Sequence, residues 1–151
     1  MSNNRTIKGW FELAIPAPTD ANLHVQLGCH FEEVAEMIDT LAGQNSYSGD
    51  LLGNALHHIH VLAEELKKGE VKVVVVDELG MLDSICDQNV TAIGVAHMLD
   101  MDFISALTNV NDSNWSKFVD GKPIFDDNGK IKKGPGYKEP DLMPFVNQNA
   151  A

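Results

Sequence analysis

A chain of 151 residues is long enough for one domain with a real core and too short for two comfortable ones, so one domain over residues 1–151 is expected. Its formal net charge of −11 argues against a protein that binds nucleic acid through its overall field. Without an apolar run near the roughly 20 residues of a membrane span, or the pattern of a secretory signal, the chain is expected to be cytoplasmic and to have no membrane partner.

The N-terminal half of the sequence predicts two helices after an irregular start. Residues 1–20 are expected to be loop-like, and Asp20 or Asn22 is expected to cap a helix from about Leu23 to Leu41. The apolar residues of this helix recur at helical spacing and define one buried stripe: Leu27, Phe31, Val34, Ala35, Ile38 and Leu41. A second helix is expected from about Leu51 to Leu66, and its core face is Leu52, Ala55, Ile59, Leu62 and Leu66.

The C-terminal half begins with an ambiguous segment, because the β-branched run at 71–76 favours a strand yet leads directly into a helical pattern. A third helix is expected from about Asp77 to Leu99. Its predicted core face is Leu79, Leu82, Cys86, Val90, Ile93 and His97. A shorter helix follows, capped by Asp102, and then Asn128-Gly129 indicates a hairpin. The prediction is an all-α bundle over about 20–118 and a basic C-terminal arm over about 119–151 that is irregular beyond Pro140.

Four carboxylates of the first predicted helix, Glu32, Glu33, Glu36 and Asp39, lie opposite its apolar stripe. A solvated acidic face is the usual explanation of such a pattern. Here, however, no lysine or arginine occurs between Lys8 and Lys67, although like charges at this spacing destabilise a helix. The third helix adds Asp83 and Asp87 at the rim of its apolar face. Hard oxygen ligands without a fixed counter-charge are the setting in which Mg²⁺ or Mn²⁺ binds.

Three segments in order, EEVAE at 32–36, DELGMLDSICDQ at 77–88 and VNDSNWSKF at 110–118, resemble the all-α nucleoside triphosphate pyrophosphohydrolases of the MazG and dimeric dUTPase type. The lysine-rich tail at 120–137 is similar to the branch often encoded by bacteriophages. The resemblance implies hydrolysis of a nucleoside triphosphate to the monophosphate and pyrophosphate, with a divalent metal, in a homodimer or homotetramer. Localisation would then be the host cytoplasm.

Site residues follow from the same resemblance. Glu33 and Glu36 match the first metal pair and are the catalytic candidates, Glu32 accompanies them, and Asp83 matches the aspartate of the second motif. The chain departs from the family at the glutamate of that motif, where Gly80 stands. Either Glu78 is brought back by a local irregularity or Asp87 completes the site.

The basic arm supplies candidates for binding the phosphate chain, since six of the eleven basic residues of the protein lie between 117 and 138. Asn114 and Lys117 resemble phosphate-contacting positions of the family. Lys130, Lys133 and Tyr137 are further candidates, although a solvated hairpin explains any single lysine equally well. Trp10 could stack on a base, but an indole is more often a core or interface residue.

A purine deoxynucleotide such as dGTP is the preferred substrate, because Trp10 and Phe11 are available to stack on a large base. Two alternatives stay open: a dUTP pyrophosphatase, and a non-catalytic helical module that binds a nucleotide or partner. His57 and His60 could share a metal, but they are more simply explained as surface residues. Cys29 and Cys86 are expected to be buried free thiols, and His97 a hydrogen-bonded core residue.

Overall fold

A computed structural model describes residues 5–146, and within them the chain is predominantly helical and has no strand. This part of the chain contains five α-helices: α1 (Ile7–Ala14), α2 (Asp20–Asp39), α3 (Ser46–Lys68), α4 (Glu78–Met98) and α5 (Phe103–Trp115), followed by a 3₁₀ turn at Met143–Phe145. The contacts divide into two compact units. One holds Ala17–Val74 and Phe125–Lys130; the other holds the chain up to Pro16, Val75–Ile124 and the chain from Ile131 onward.

The N-terminal segment contains a helix, so the prediction of a loop over residues 1–20 was wrong at Ile7–Ala14, while residues 1–4 lie outside the described residues. Thr6 begins α1 because its side-chain oxygen accepts a hydrogen bond from the Gly9 N–H at 3.0 Å. The helix is only eight residues long, and Trp10 and Phe11 lie edge to face within it, with ring centroids 4.9 Å apart. A helix this short depends on tertiary contacts, such as the stacking of Trp10 on Phe118, rather than on its own propensity, which is why the sequence pattern alone did not indicate it.

Capping boxes begin α2 and α3. The Thr19 hydroxyl accepts from the Asn22 N–H at 3.3 Å, and the Asn22 side chain accepts from the Thr19 N–H at 3.0 Å. Asn22 is therefore the reciprocal partner of the cap and not the cap itself. Asn45 and Ser48 form the same arrangement, so α3 begins five residues before the predicted Leu51. Gly69 ends α3 in the left-handed conformation, with φ at 76°.

Small residues bring α2 and α3 close together. Ala35 and Ala63 are buried between them, and a Cβ on Gly28 would lie only 2.7 Å from the Ala63 carbonyl oxygen. The start of α2 lies beside the end of α3, so the two helices run antiparallel through the short connection at 40–45. Glycine and alanine at the contact allow the backbones to approach until the α3 carbonyl occupies the space of a side chain.

The segment 71–76 is neither strand nor helix. Its central N–H, that of Val73, donates instead to His24 Nε2 on α2 at 2.9 Å. Val74 and Val76 are 81% and 92% exposed, so their β-branched side chains are mostly in solvent. Strand propensity reflects packing on a pleated surface, and the described chain offers this segment no neighbouring strand.

Helix α4 begins where predicted, because Asp77 accepts from the Gly80 N–H at 3.0 Å, but its predicted core face is exposed. Leu82 and Val90 are 61% and 66% exposed, and His97 is exposed rather than a core residue. The buried residue of α4 is Ala96. We call the exposed apolar face the α4 stripe; it consists of Leu79, Leu82, Cys86, Val90, Ile93 and His97.

Helix α5 confirms its predicted cap, since the Asp102 carboxylate accepts from the Ser105 N–H at 3.2 Å. The Asp126 N–H donates to the Lys130 carbonyl at 2.9 Å, and Gly129 lies between them with φ at 79°. The chain thus reverses at the predicted Asn128-Gly129 turn. The flanking residues do not form strands, and the described chain beyond Pro140 is irregular apart from the 3₁₀ turn.

No single helix among residues 5–146 is long and apolar enough to cross a membrane. Helices α4 and α5 together meet the length and composition that a span requires, but they are bent by 119° at the break between them.

Candidate functional site

An open cleft of about 470 Å³ runs along the α2–α3 pair. Helix α2 supplies Glu32, Ala35, Glu36 and Asp39, and α3 supplies Gly53, Leu56, His57 and His60. Three of the four predicted carboxylates of α2 therefore face one cavity. Its floor is apolar and its walls are ionisable, as in many small-molecule sites. We call it the α2–α3 cleft.

Glu32 lies between two lysines at one end of this cleft. Its Oε1 accepts from Lys67 Nζ and its Oε2 from Lys130 Nζ, both at 2.8 Å. The side chain of Glu32 is 21% exposed and that of Lys67 11%, so this pair is largely removed from water. Lys67 also contacts Glu64 at 2.5 Å. We call Glu32, Lys67 and Lys130 the glutamate–lysine cluster.

The hydrogen bonds of this cluster shift the pKa of each member. Burial alone would raise the pKa of Glu32, but the hydrogen bonds from Lys130 and Lys67 outweigh it and lower that pKa below its ordinary value. Burial would lower the pKa of Lys67, and the hydrogen bonds to Glu32 and Glu64 raise it instead. The hydrogen bond to Glu32 raises the pKa of Lys130, against a smaller effect of burial. All three groups are therefore ionised around neutral pH.

The sequence pattern did not indicate Lys67, because the predicted phosphate-binding lysines all lie in the C-terminal arm. Its aliphatic stem covers Gly28, where a Cβ would lie 2.6 Å from Lys67 Cγ. The sequence feature that could have indicated Lys67 is Gly28, one helical turn before Glu32. A glycine there leaves room for a long side chain from another helix to reach the Glu32 carboxylate. That signal could be interpreted only once α3 was known to lie against α2.

Glu36 and Asp39 face the cleft without such partners. Among residues 5–146 neither carboxylate has a hydrogen bond or an ion pair, and both side chains are exposed. Glu33, the other predicted catalytic residue, is exposed and does not line the cleft. The structure thus places Glu32, Glu36 and Asp39 together, with Glu32 already neutralised by lysines, and places Glu33 outside this group.

Within the described chain, no three His, Cys, Asp or Glu side chains are arranged to hold a metal ion. Mg²⁺ is nevertheless usually bound through one or two carboxylates together with water and substrate phosphates, rather than by an all-protein cage. Glu36 and Asp39, without partners on one wall of the cleft, are a donor set of that kind. Glu36 and Asp39 are thus the residues of the cleft that would hold a divalent cation together with a ligand.

The predicted metal residues of α4 lie in the other compact unit, where Asp83 and Asp87 are exposed on the helix surface. At the departure from the motif, a Cβ on Gly80 would lie 2.5 Å from Asp77 Oδ2. The Gly80 N–H donates to Asp77 Oδ1 at 3.0 Å, so this position belongs to the cap of α4. Glu78, the other candidate, is exposed in the first turn of α4.

The predicted base-stacking residue Trp10 is engaged within its own unit. Its Nε1–H donates to the Asn114 carbonyl at 2.9 Å, and its ring stacks on Phe118 with centroids 5.7 Å apart. Phe118 also contacts Trp115 edge to face, at 5.5 Å. These rings form an aromatic cluster that holds α1 against the end of α5. In this structure, Asn114 contributes its carbonyl to that packing.

The remaining candidates of the arm differ in their surroundings. Lys117 is half-buried, whereas Lys133 is exposed, lies 4.5 Å from the centre of the Tyr137 ring and pairs with Glu139 at 3.6 Å. Lys130 is the member of this group that reaches the carboxylates of α2. The structure therefore brings one of the predicted arm lysines to the acidic helix, through the reversal at 125–130.

The thiols and histidines depart from expectation in part. Cys86 is exposed, so the prediction of a buried thiol was wrong there, while Cys29 is half-buried and burial raises its pKa. His57 and His60 are surface residues, in agreement with the simpler of the two explanations, but both line the α2–α3 cleft. Their position opposite Glu36 depends on the pairing of the helices and could not be inferred from spacing alone.

No protein-family model matches the chain, and no curated protein or solved structure is significantly similar to it. The resemblance to the MazG and dimeric dUTPase families therefore stays a prediction that rests on the quoted motifs.

Proposed function

We propose that the protein is a Mg²⁺-dependent nucleoside triphosphate pyrophosphohydrolase that converts a deoxynucleoside triphosphate to the monophosphate and pyrophosphate. Mn²⁺ would serve in place of Mg²⁺. The observation that supports this most is the α2–α3 cleft, where three carboxylates of the predicted motif helix line one cavity beside two lysines. Carboxylates that bind a hard cation and lysines that bind phosphate are the two kinds of group that phosphoryl chemistry requires.

In this proposal the residues in and beside the cleft have different roles. Glu36 and Asp39 would hold the cation, which would supply positive charge to the phosphate oxygens. Glu36 also accepts the proton of the attacking water, which adds to the α-phosphorus while the bond to the bridging oxygen of pyrophosphate breaks. Lys67 and Lys130 stabilise the charge that develops on the departing pyrophosphate. Asp83, Asp87 and Glu33 are secondary candidates for binding the cation.

The proposed substrate is a purine deoxynucleotide such as dGTP, within the nucleotide metabolism of a bacteriophage and in the host cytoplasm. dUTP is the alternative substrate. Trp10 supports stacking on a base less than the sequence suggested, because one face of its ring is covered by Phe118. The base preference is therefore the part of the proposal that most needs direct measurement.

Pyrophosphate release from each common deoxynucleoside triphosphate, with Mg²⁺ and with Mn²⁺, tests the activity. We expect turnover of at least one nucleotide and a fall of roughly 10²–10⁴-fold in Glu36→Gln, the range for loss of a general base. Glu65→Gln is the matched control, because Glu65 lies on α3, does not line the cleft and pairs with exposed Lys68. Full activity in Glu36→Gln would contradict the proposed roles, and absence of turnover with every nucleotide would favour the non-catalytic binding module.

Hydrolysis in ¹⁸O-water locates the attacked phosphorus. Attack at the α-phosphorus puts the label in the monophosphate. Label found in pyrophosphate would show that water adds at the β-phosphorus and would contradict that step.

We propose further that the chain forms a homodimer or homotetramer in which the α4 stripe is covered by a second copy. Leu79 and Leu82 are 79% and 61% exposed, and the stripe continues over several helical turns. A contiguous apolar surface of this kind is uncommon on a monomer and is usually covered by association.

A further inference from the structure

A second, smaller cavity of about 200 Å³ adjoins the α2–α3 cleft and shares three of its lining residues, Asp39, Gly53 and Leu56. The cleft is lined by residues between 32 and 39 and between 53 and 60, whereas this cavity is lined by residues between 38 and 43 and between 49 and 56. It therefore extends the cleft toward the connection at 40–45, away from Glu32. We call it the connection pocket; its other lining residues are Ile38, Leu41, Gly43, Gly49 and Leu52.

The walls of the connection pocket are mainly apolar. Ile38, Leu52 and Leu56 are half-buried, and Asp39, at the boundary with the cleft, is the charged one among the lining residues. Gly49 leaves the α3 wall open, because an added Cβ there would meet no heavy atom within 4 Å. A glycine inside a helix is less stable than an alanine, and neither the packing of the described chain nor a positive φ requires glycine at this position. The space beside Gly49 is therefore available to a ligand.

The cleft and the connection pocket together have different chemistry at their two ends. Lys67 and Lys130 lie at Glu32, at the end of the cleft that is farther from the connection pocket. Glu36 and Asp39 lie between the lysines and the apolar pocket, and about two helical turns, roughly 10 Å along the axis of α2, separate Glu32 from Asp39. A nucleoside triphosphate has the same asymmetry, because its phosphate chain is anionic and its base presents flat faces that favour removal from water.

We propose that the connection pocket binds the base of the nucleoside triphosphate, while the phosphate chain lies in the α2–α3 cleft and extends toward Lys67 and Lys130. This inference deepens the proposed function, on which it rests for the class of ligand. The pocket is smaller than the roughly 300–1,000 Å³ of a whole ligand site, so it suits one ring system of a larger ligand. Because the ring is bound by burial against apolar side chains, losing this contact lowers the affinity for a nucleotide but not for a phosphate chain alone.

The chain offers two variants that alter the pocket and a matched control. Gly49→Leu adds an apolar side chain to the lining, in space that is open in this structure, and Leu52→Ala shortens a wall; neither residue lines the cleft. Asn54→Leu adds the same side chain as Gly49→Leu to an exposed residue of α3 that lines neither cavity. Leucine has a higher helix propensity than glycine or asparagine, so both leucine variants keep α3 helical.

The test is calorimetric titration of the full-length chain, in Mg²⁺, with two ligands. One is deoxyguanosine α,β-imidotriphosphate, which is not hydrolysed at that bridge, and the other is inorganic triphosphate, which has no base. We expect the wild type to bind the nucleotide more tightly than inorganic triphosphate. Gly49→Leu and Leu52→Ala are each expected to weaken nucleotide binding by roughly 10–200-fold, the effect of a misfit in an apolar pocket, and to leave the binding of inorganic triphosphate unchanged. Asn54→Leu should change neither affinity.

Four results would each overturn the inference: equal affinity of the wild type for the two ligands, unchanged nucleotide affinity in Gly49→Leu, an equal loss of both ligands in that variant, or the same loss in Asn54→Leu. The outcome is separable from that of the proposed function. A chain whose nucleotide binding responds as expected but that releases no pyrophosphate contradicts the hydrolase proposal alone. A Gly49→Leu variant that releases pyrophosphate with the KM of the wild type contradicts the base-binding pocket alone.

Discussion

Glu32 illustrates how a residue that lacks a partner in the sequence obtains one from the fold. Its two hydrogen-bonded lysines lie 35 and 98 positions away along the chain. The acidic face of α2 therefore lacks lysine and arginine neighbours along the sequence, but the fold brings two lysines to part of it. Within the described chain, Glu36 and Asp39 have no hydrogen bond or ion pair with a lysine. Glu32 is therefore a structural acid, whereas Glu36 and Asp39 are available to a ligand.

Glu32→Gln is expected to lower the free energy of unfolding by about 1–2 kcal/mol, because it weakens two charge-assisted hydrogen bonds, of which the one from Lys67 is largely removed from water. Urea unfolding followed by circular dichroism measures the change. Glu70→Gln serves as the control, since Glu70 is exposed just after α3, and it is expected to change stability by less than about 0.5 kcal/mol. Equal effects in the two variants would show that the cluster contributes nothing to stability.

The pH dependence of stability follows from the shifted pKa values. Glu32 has a lowered pKa in the folded state, so its contribution is present above its unfolded pKa and is lost as pH falls through the folded value. Lys67 has a raised pKa, so its contribution is present below its unfolded pKa and is lost as pH rises through the folded value. Lys130 acts in the same direction, but it is 45% exposed and contributes less.

We therefore expect unfolding free energies, measured in urea from about pH 3 to pH 11, to fall at both ends of the range. Glu32→Gln should flatten both limbs, because it removes the titrating acid and also the partner of the lysines. An acid limb of unchanged slope in this variant would show that other carboxylates cause it.

At the scale of elements, the α2–α3 pair depends on the absence of a side chain at Gly28. A methyl group there meets the backbone of α3, and a carbonyl oxygen cannot rotate away as a side-chain terminus can. The glutamate–lysine cluster and the α2–α3 cleft both lie along this contact, so the same close approach brings Lys67 to Glu32 and the histidines opposite Glu36.

Gly28→Ala is expected to destabilise the chain by about 1–3 kcal/mol, the usual cost of overpacking, despite the better helix propensity of alanine. Thermal or urea unfolding measures it. Gly94→Ala in α4 is the matched control, because no heavy atom lies within 4 Å of an added Cβ there. That substitution should stabilise the chain by up to about 1 kcal/mol. A stabilising effect at both positions would contradict the close approach of α2 and α3.

At the scale of the whole molecule, the described chain leaves the apolar face of α4 exposed. The apolar residues of the α4 stripe recur at the helical spacing typical of a buried face, yet they are exposed. This is expected if the stripe is an interface whose partner copy is absent from a single chain. Its exposed thiol, Cys86, would then be covered on association.

The double substitution Leu82→Ser and Val90→Ser is expected to shift the protein from a dimer or tetramer to a monomer in size-exclusion chromatography with light scattering. Removing two central apolar side chains from a protein interface typically weakens association by several kcal/mol in total. Leu51→Ser, at an exposed residue of α3 outside the stripe, should leave the oligomer intact. A wild-type chain that is already monomeric at high concentration would contradict the proposed association.

Much of the helical architecture could be predicted because it depends on neighbours within about four residues. The cap Asp102, the start of α4 near Asp77, most of the apolar period of α2 and the Asn128-Gly129 turn are local features, and they are observed. Leu41 is the exception in the predicted stripe, since it is 57% exposed and lies beyond the end of α2. Two segments, α1 and 71–76, were not predicted from the local sequence. Helix α1 is too short to be stable without its aromatic contacts, and the strand-like run at 71–76 meets no neighbouring strand in the described chain.

The sequence by itself determined that the protein is largely helical, that α2 is strongly acidic and that cations are concentrated in the last third of the chain. Only the tertiary structure decided that Lys67 and Lys130 meet at Glu32, that two histidines face two unpartnered acids, and that the α4 stripe is exposed. The physical reason is range: helix periodicity and capping are interactions along one stretch of chain. Which side chains face each other depends on how separate helices pack.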